Sequence, residues 1–452
     1  LIPVLYVNQE MVLRLGAVTG VGHGRLILER FGRFWGAFSV IDLFVLNGLT
    51  IVTEFIGISL ALDYLGVSKS VGVAVAAGLT IMAASTGDFR RFERFSMLLV
   101  LGSLLLLPVL LAVHPPLGQI ARDFVLPQLP GGRMADVMLL VIAIVGTTVA
   151  PWQLFFQQSY VIDKRITPRF IAYERADLVI GIVLVVLGAA ALMAFCAATF
   201  AGTADAGGFS DARGIAVGLQ TYVGRLPAVL FALALLDASI IGAAAVSLST
   251  AYAIGDMLSL RHSLHRKPAE AKTFYCVYIG LIAGAAALVL IPGSPLGLIT
   301  EAVQTLAGVL LPSATVFLLL LCNDRAVLGP WVNGRWLNLF TGGVIAVLVM
   351  LSVILTASVL FPDISGGTIL GILVTGCVAG LAGAWFALRR RGAGRRHDDL
   401  PRAAWRMPPL DELAPAQVST AGRSWMLVLR GYLVLACLMV IVRVVQLALG
   451  QG

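Results

Sequence analysis

Charge is what this sequence has least of. Only 12% of its 452 residues are Asp, Glu, Lys or Arg while 59% are hydrophobic, and the mean hydropathy is +0.95; an ordinary soluble domain carries about 25% charged residues. A water-soluble fold is excluded. Cysteine is also scarce. Cys196, Cys276, Cys322, Cys377 and Cys437 are odd in number, show no Cys-x-x-Cys spacing and sit in or at the ends of apolar runs, so neither a disulfide framework nor a zinc site is indicated. The first residue is Leu1, and no basic region precedes a short apolar stretch with a small-residue cleavage site, so no signal peptide is visible. No nucleophile with a base, no histidine cluster and no phosphate loop stands out. An enzyme is therefore the least favoured class, and the scattered glycines read as small residues at helix-packing surfaces.

What the chain has in abundance is long apolar runs, and a helix needs roughly 20 such residues to cross the hydrocarbon core. Runs bounded by charge, Gly and Pro fall at about 1–18, 36–64, 67–87, 95–114, 134–160, 175–200, 226–257, 273–293, 296–322, 336–362, 367–388 and 425–448. They are continuous and do not alternate at period two, which predicts an all-α integral membrane bundle of about twelve segments rather than a barrel.

The net charge of +8 is explained by topology, not by nucleic acid. Basic connections carry Arg25, Arg30 and Arg33, then Arg90, Arg91 and Arg94, then Lys164, Arg165 and Arg169, then Arg261, Arg266 and Lys267, then Arg325 and Arg335, then Arg389 to Arg391 with Arg395 and Arg396. The loops between them are poor in Lys and Arg, so the basic set is cytoplasmic in a multi-pass protein of the cell inner (plasma) membrane. One span too many or too few would break this alternation; it stays in phase. The outer loop 201–225 reads as a connector. The stretch 389–423, with its Arg run, Asp398, Asp399 and several prolines, reads as a flexible basic cytoplasmic linker. Its arginines anchor topology or, as an alternative, meet anionic lipid.

Segment 134–160 holds Pro151 near its middle, after Gly146, Thr147 and Thr148. Pro removes a backbone N–H and clashes with the carbonyl one turn earlier, so the helix is expected to kink or break. Two readings stand side by side. A discontinuous membrane helix presents backbone carbonyls to a cation at the midplane; a plain proline kink is repaired by neighbouring hydroxyls such as those of Thr147 and Thr148.

The run Gly146-Thr-Thr-Val-Ala-Pro-Trp-Gln-Leu-Phe-Phe-Gln-Gln-Ser159 resembles the sixth helix of NRAMP (natural resistance-associated macrophage protein) divalent-metal transporters, whose pattern is Gly-Ala-Thr-Val-Met-Pro-His-Asn followed by an aromatic, Leu and a His-Ser pair. Gln9 to Gly20 resembles the end of that family's second helix, and Thr53-Glu-Phe-Ile-Gly57 its third-helix element. Leu230 to Leu236 is similar to the start of its eighth helix, and Leu310-Leu-Pro312 with Asn323-Asp324 to its tenth. The likeness covers about residues 1–360. It implies a LeuT/APC-type inverted-repeat transporter bundle with helices one and six broken at the midplane. On this alignment the chain begins partway through the second helix, so the first-helix Asp-Pro-Gly-Asn ligands lie outside it. Residues 1–362 would form the NRAMP-like core, and 363–452 two additional segments joined by the linker 389–423.

The departures from the family pattern bear on the ion. Where the resemblance places a metal-binding Met stands Ala150; the preceding small Ala is Thr147 and the first sixth-helix His is Trp152. Loss of a thioether removes a soft ligand for transition metals, and Thr147 adds a hydroxyl oxygen. Mg²⁺ takes oxygen ligands and gives up water reluctantly, which suits a roomier site. The same pattern is expected of the NRAMP-related magnesium transporters. The metal ligands implied are Thr147 and the Ala150 backbone carbonyl, with Pro151, Trp152 and Gln153 along the pathway or behind the ligands. Of His23, His114, His262, His265 and His397 none is expected in a membrane interior, Ile51 stands where the family has a proton-pathway Asp, and 273–293 lacks the family's arginines. Uncoupled, gradient-driven uptake is therefore expected.

Ionisable residues inside membrane segments are costly and are site candidates by default. Here they are Asp42, Glu54, Asp237 and Glu301. Asp237 is expected to face the pathway or to hydrogen-bond a neighbouring helix. Glu301 and Gln304, three apart, share a helix face and would line the pathway together. Glu54 supports helix packing or the outer vestibule, and Asp42 is expected near an interface in contact with solvent. The function expected is Mg²⁺ transport, with Mn²⁺ as a further substrate, no permanently bound cofactor, and the lipid bilayer as surroundings. Two alternatives stand beside it: a proton-coupled Mn²⁺ or Fe²⁺ transporter, and a non-transporting membrane sensor that has kept the fold.

Overall fold

The computed structural model describes residues 2–126, 144–146, 148–209, 211–293, 296–360, 364–389 and 402–413, with isolated positions elsewhere. The additional segment expected at 425–448 lies almost wholly outside them. The described chain is a succession of helices: α1 (Ile2–Thr19), α2 (His23–Phe31), α3 (Arg33–Tyr64), α4 (Lys69–Ala84), α5 (Phe89–Gly102), α6 (Leu106–Val113), α7 (Leu117–Val125), α8 (Pro151–Asp163), α9 (Ile171–Phe200), α10 (Ala212–Tyr222), α11 (Arg225–Met257), α12 (Lys272–Val289), α13 (Leu296–Cys322), α14 (Arg325–Leu328), α15 (Arg335–Leu360) and α16 (Gly366–Arg389). Among the described residues, six stretches are long and apolar enough to cross a membrane: Arg33–Tyr64, Phe89–Val113, Pro168–Phe200, Arg225–Met257, Lys272–Val289 and Arg335–Ile354. Shorter apolar helices at Lys69–Ala84, Pro312–Cys322 and Gly366–Val378 fall within three more expected segments. The chain is a multi-pass membrane protein.

Several helix starts are written locally. Asp88, Asp211 and Asp324 cap α5, α10 and α14 by accepting the N–H of Arg90, Gly214 and Ala326, satisfying donors that a helix start leaves unpaired. A 3₁₀ turn at Ser103–Leu105 lies between α5 and α6 within the expected span 95–114, and the helical backbone runs on through it from Phe89 to Val113.

The chain forms two compact units. The first comprises 1–43, 130–179 and 301–452. In it α1 packs along α8, α2 touches α8, and α15 pairs with α16. The second comprises 44–129 and 180–300. In it α11 is the central helix, packed by α4, α5, α6, α10 and α12. The expected connector 201–225 contains α10, whose Ala216 and Leu219 complete an apolar cluster with Val109, Phe195, Phe200, Ala228 and Phe231; Arg213 ties it to Asp63 at 2.7 Å.

Within the stretch read as a flexible linker, residues 402–413 are docked on the first unit. Trp405 is buried against Gly329, where an added Cβ would stand 2.3 Å from the indole and where φ is +48°. Only a residue without a side chain fits both the backbone and the ring. The indole N–H of Trp331 donates to Arg402 O (2.8 Å), Arg402 Nε donates to Pro330 O (3.0 Å), and Met407 N–H donates to Val18 O (3.4 Å). Hydropathy is blind to this strap because one tryptophan and a few backbone bonds hold it. Trp405→Ala is expected to release it, raising tryptic cleavage after Arg402 and Arg406 by about tenfold as local opening becomes easier; limited proteolysis followed by mass spectrometry measures this.

Candidate functional site

The helix interruption expected at Pro151 is present as a break. Residues 144–146 and 148 are helical, Val149 and Ala150 leave the helix, and Pro151 is the first residue of α8. Ala150 is extended, with φ −85° and ψ 145°. Pro suits this place, since the first N–H of a helix has no intrahelical acceptor. Gln153 N–H bends back to Ala150 O at 3.1 Å instead of the Val149 O that an unbroken helix would present. Thr148 Oγ1 donates to Ile144 O at 2.7 Å, the repair expected of a kink, yet the backbone still departs from helix after it. Thr147 lies outside the described residues. Ala150 is buried. Trp152 is half-buried and stands 6.4 Å from Phe156. Gln153 Oε1 is buried and accepts no hydrogen bond from the described residues, an arrangement that costs about 1–3 kcal/mol unless something else fills it.

Beside the break, the first unit has a small, partly open hollow of about 10 Å³ whose wall includes Pro151 and Phe155 of α8, Ser39 and Asp42 of α3, and Ser313 and Phe317 of α13. Asp42, expected near an interface in contact with solvent, is half-buried and stands in the wall of that hollow. Its carboxylate makes no hydrogen bond or ion pair with the described residues.

His23 is 1% exposed; its Nδ1 lies 2.9 Å from Gln158 Oε1, and its ring meets Phe155 edge-on at 4.8 Å. The ring is buried against α8, where Val21 O accepts from Gln158 Nε2 at 2.7 Å and so pins the α1–α2 turn to that helix.

The other candidates divide between the units. Glu54 and Asp237 belong to the second, each laid against a glycine. A Cβ at Gly242 would come 2.5 Å from the Glu54 carboxylate, and one at Gly102 would come 2.4 Å from that of Asp237. Asp237 Oδ2 is buried without a hydrogen-bond partner among the described residues, so the expected bond to a neighbouring helix is not made there. Glu301 and Gln304 lie on α13, with side chains outside the described set. No group of three His, Cys, Asp or Glu side chains suited to a metal occurs among the described residues.

A buried polar network escaped the sequence reading. Glu10 pairs with Arg14 at 3.2 Å and with Arg175 at 2.5 Å, and Arg14 also donates to Trp331 O and Asn333 Oδ1. Arg30, read as a loop charge, is buried and paired with Asp324 at 2.6 Å. The available signal was the Glu10–Arg14 spacing of i, i+4 inside an apolar run.

A broken helix beside a polar-edged hollow is a recurrent transporter device, and the comparisons agree with it. The family model for "Natural resistance-associated macrophage protein-like" proteins matches residues 1–358. The chain belongs to the NRAMP family. Among relatives of this NRAMP chain, a divalent metal cation transporter MntH of Ralstonia nicotianae is 28% identical over 345 residues, covering 73% of this chain and 75% of the relative. MntH 1 of Pseudomonas aeruginosa is 26% identical over 348 residues, covering 73% and 76%. The crystal structure of an Eremococcus coleocola manganese transporter with an aromatic bis-isothiourea compound aligns with a TM-score of 0.61 at 19% identity, covering 86% of each chain. The NRAMP chain accordingly takes the LeuT-type inverted-repeat fold.

Proposed function

We propose that this NRAMP chain is a divalent metal cation transporter of the inner membrane that moves Mg²⁺ in preference to transition metals, with Mn²⁺ as a secondary substrate, by uncoupled, gradient-driven alternating access. The observation that carries the reading is Ala150 at the helix break. A methyl group there offers no soft donor and leaves oxygen ligands: its own backbone carbonyl, the Thr147 hydroxyl and the Gln153 side-chain carbonyl. Oxygen ligands and spare volume suit an ion that keeps part of its water. Pro151 holds the break open and Trp152 walls it. Asp237, Glu54, Glu301 and Gln304 are assigned to the pathway, where carboxylates and amides attract and hand on a hydrated cation.

A second reading is favoured by one observation, the burial of His23 against α8. Histidine is the side chain that most readily exchanges protons near neutral pH, and one packed against α8 would support proton-coupled Mn²⁺ or Fe²⁺ transport. The names of the relatives fit this reading as well. Uptake of Mg²⁺ and Mn²⁺ into proteoliposomes, with internal pH followed by a trapped dye, separates the two. The expected result is Mg²⁺ uptake, slowed by competing Mn²⁺, with flat internal pH. Acidification in step with metal entry sinks the uncoupled reading, and no flux of either ion favours a sensor.

A further inference from the structure

We propose that the α4–α5 turn and the α11–α12 loop form one binding site for an anionic phospholipid, with Arg90, Arg94 and Lys267 on the headgroup phosphate and the exposed face of α5 along an acyl chain. The inference concerns the second unit only and holds whichever ion the protein moves.

Two stretches distant in sequence are locked together there. The Phe89 and His265 rings stack at 5.2 Å, a Cβ at Gly87 would stand 2.9 Å from Lys267 Cγ, and Tyr275 Oη of α12 donates to Arg266 O at 2.7 Å. Over 85–94 and 265–272 they carry six Lys or Arg against three Asp or Glu, a net charge of +3. Asp88 is already engaged, by Arg91 at 3.3 Å and by the N–H of Arg90; the other two carboxylates are Glu93 and Glu270. Arg90, Arg94, Arg266 and Lys267 are exposed and pair with no carboxylate among the described residues. The surplus is open to an anion.

The position suits a lipid rather than a soluble anion. Within the helical stretch Phe89–Val113, residues 95–113 carry no charge; they rise about 28 Å, close to the hydrocarbon thickness of about 30 Å. Arg94 therefore stands at the edge of the apolar layer and Arg90 one turn outside it, at the depth of headgroups. Positions 90, 94, 97 and 101 follow the four-and-three spacing of one helix face, so both guanidiniums continue an apolar stripe. Met97 and Leu101 on that stripe are 63% and 60% exposed, hence open to lipid. From Arg94 to Leu101 the rise is about 10 Å, within one leaflet. A charge that only sets topology can lie anywhere in a short loop. Here cations from two connections meet at the head of one apolar stripe, the composition of a lipid headgroup pocket, and an Arg fork donates paired N–H groups to phosphate oxygens.

The test is native mass spectrometry of the full-length protein in detergent, titrated with phosphatidylglycerol or with phosphatidylcholine of the same chains. Phosphatidylglycerol is expected to bind at least about tenfold more tightly. The triple variant Arg90→Gln, Arg94→Gln, Lys267→Gln is expected to weaken it about a hundredfold, from about fivefold for each charge near an anionic group, with the melting temperature in lipid-free detergent unchanged. The control removes the same charge from three exposed arginines of the first unit, as Arg165→Gln, Arg169→Gln and Arg335→Gln. It is expected to weaken binding less than about threefold, because exposed charges away from the lipid are screened. If the triple variant does not fold, Arg90→Gln and Lys267→Gln carry the test singly, at about fivefold each. Equal loss in the control reduces the effect to general surface charge and overturns the site, as does equal binding of the two lipids. Glycerol phosphate, a headgroup phosphate without chains, is expected to compete only weakly; displacement of the lipid at matching concentration overturns the proposal, because the apolar stripe then contributes nothing.

Discussion

On the proposed function, Ala150→Met is expected to lower the ratio of Mg²⁺ to Mn²⁺ uptake by about tenfold or more, equivalent to about 1.4 kcal/mol of relative ligand preference. The substitution acts in two ways at one atom position. Ala150 is buried at the start of α8 with its backbone extended, so a longer side chain there must enter the space at the break. A thioether brings a polarisable donor that transition metals accept and Mg²⁺ does not. It also removes volume that a partly hydrated Mg²⁺ needs, whereas Mn²⁺ loses water more easily. Parallel uptake of the two ions by wild-type and variant proteoliposomes checks this. An unchanged ratio with intact flux would detach Ala150 from the ion path.

Glu10→Ala destabilises the protein by about 3 kcal/mol, because it leaves Arg14 buried without its carboxylate. The side chains of Glu10 and Arg14 are 6% and 5% exposed, while that of Arg175 is 41% exposed and so contributes the smaller share after solvent screening. The control is Glu29→Ala. Its pair with Arg25 has the same i, i+4 spacing and a shorter contact, 2.7 Å, but side chains 36% and 28% exposed, and the expected cost is below about 1 kcal/mol. Thermal melting in detergent, with size-exclusion profiles, ranks the two. Equal losses would mean that burial is not what gives the Glu10 pair its weight.

The lesson of these residues is about range. Apolar runs and the proline at 151 are local signals, and each has a local physical consequence: a span, an interrupted helix. Those were legible, and the sixth-helix pattern around Pro151 added the family. Asp42, His23 and Arg30 looked alike from the sequence, as polar residues near the ends of apolar runs. Their fates depend on what stands opposite: a shared hollow with Pro151, Gln158 on α8, and Asp324 almost three hundred residues away. No periodicity reports a partner at that distance.

By itself, then, the sequence determined that the chain is a helical membrane protein, which loops are basic and where one helix must break, because each follows from composition or from the covalent character of a single residue. Only the tertiary structure decided that 402–413 is a docked strap, that His23 is buried against α8, and that Asp42 lines a hollow beside Pro151. Burial and pairing are properties of surfaces brought together, and the residues that meet there are far apart along the chain.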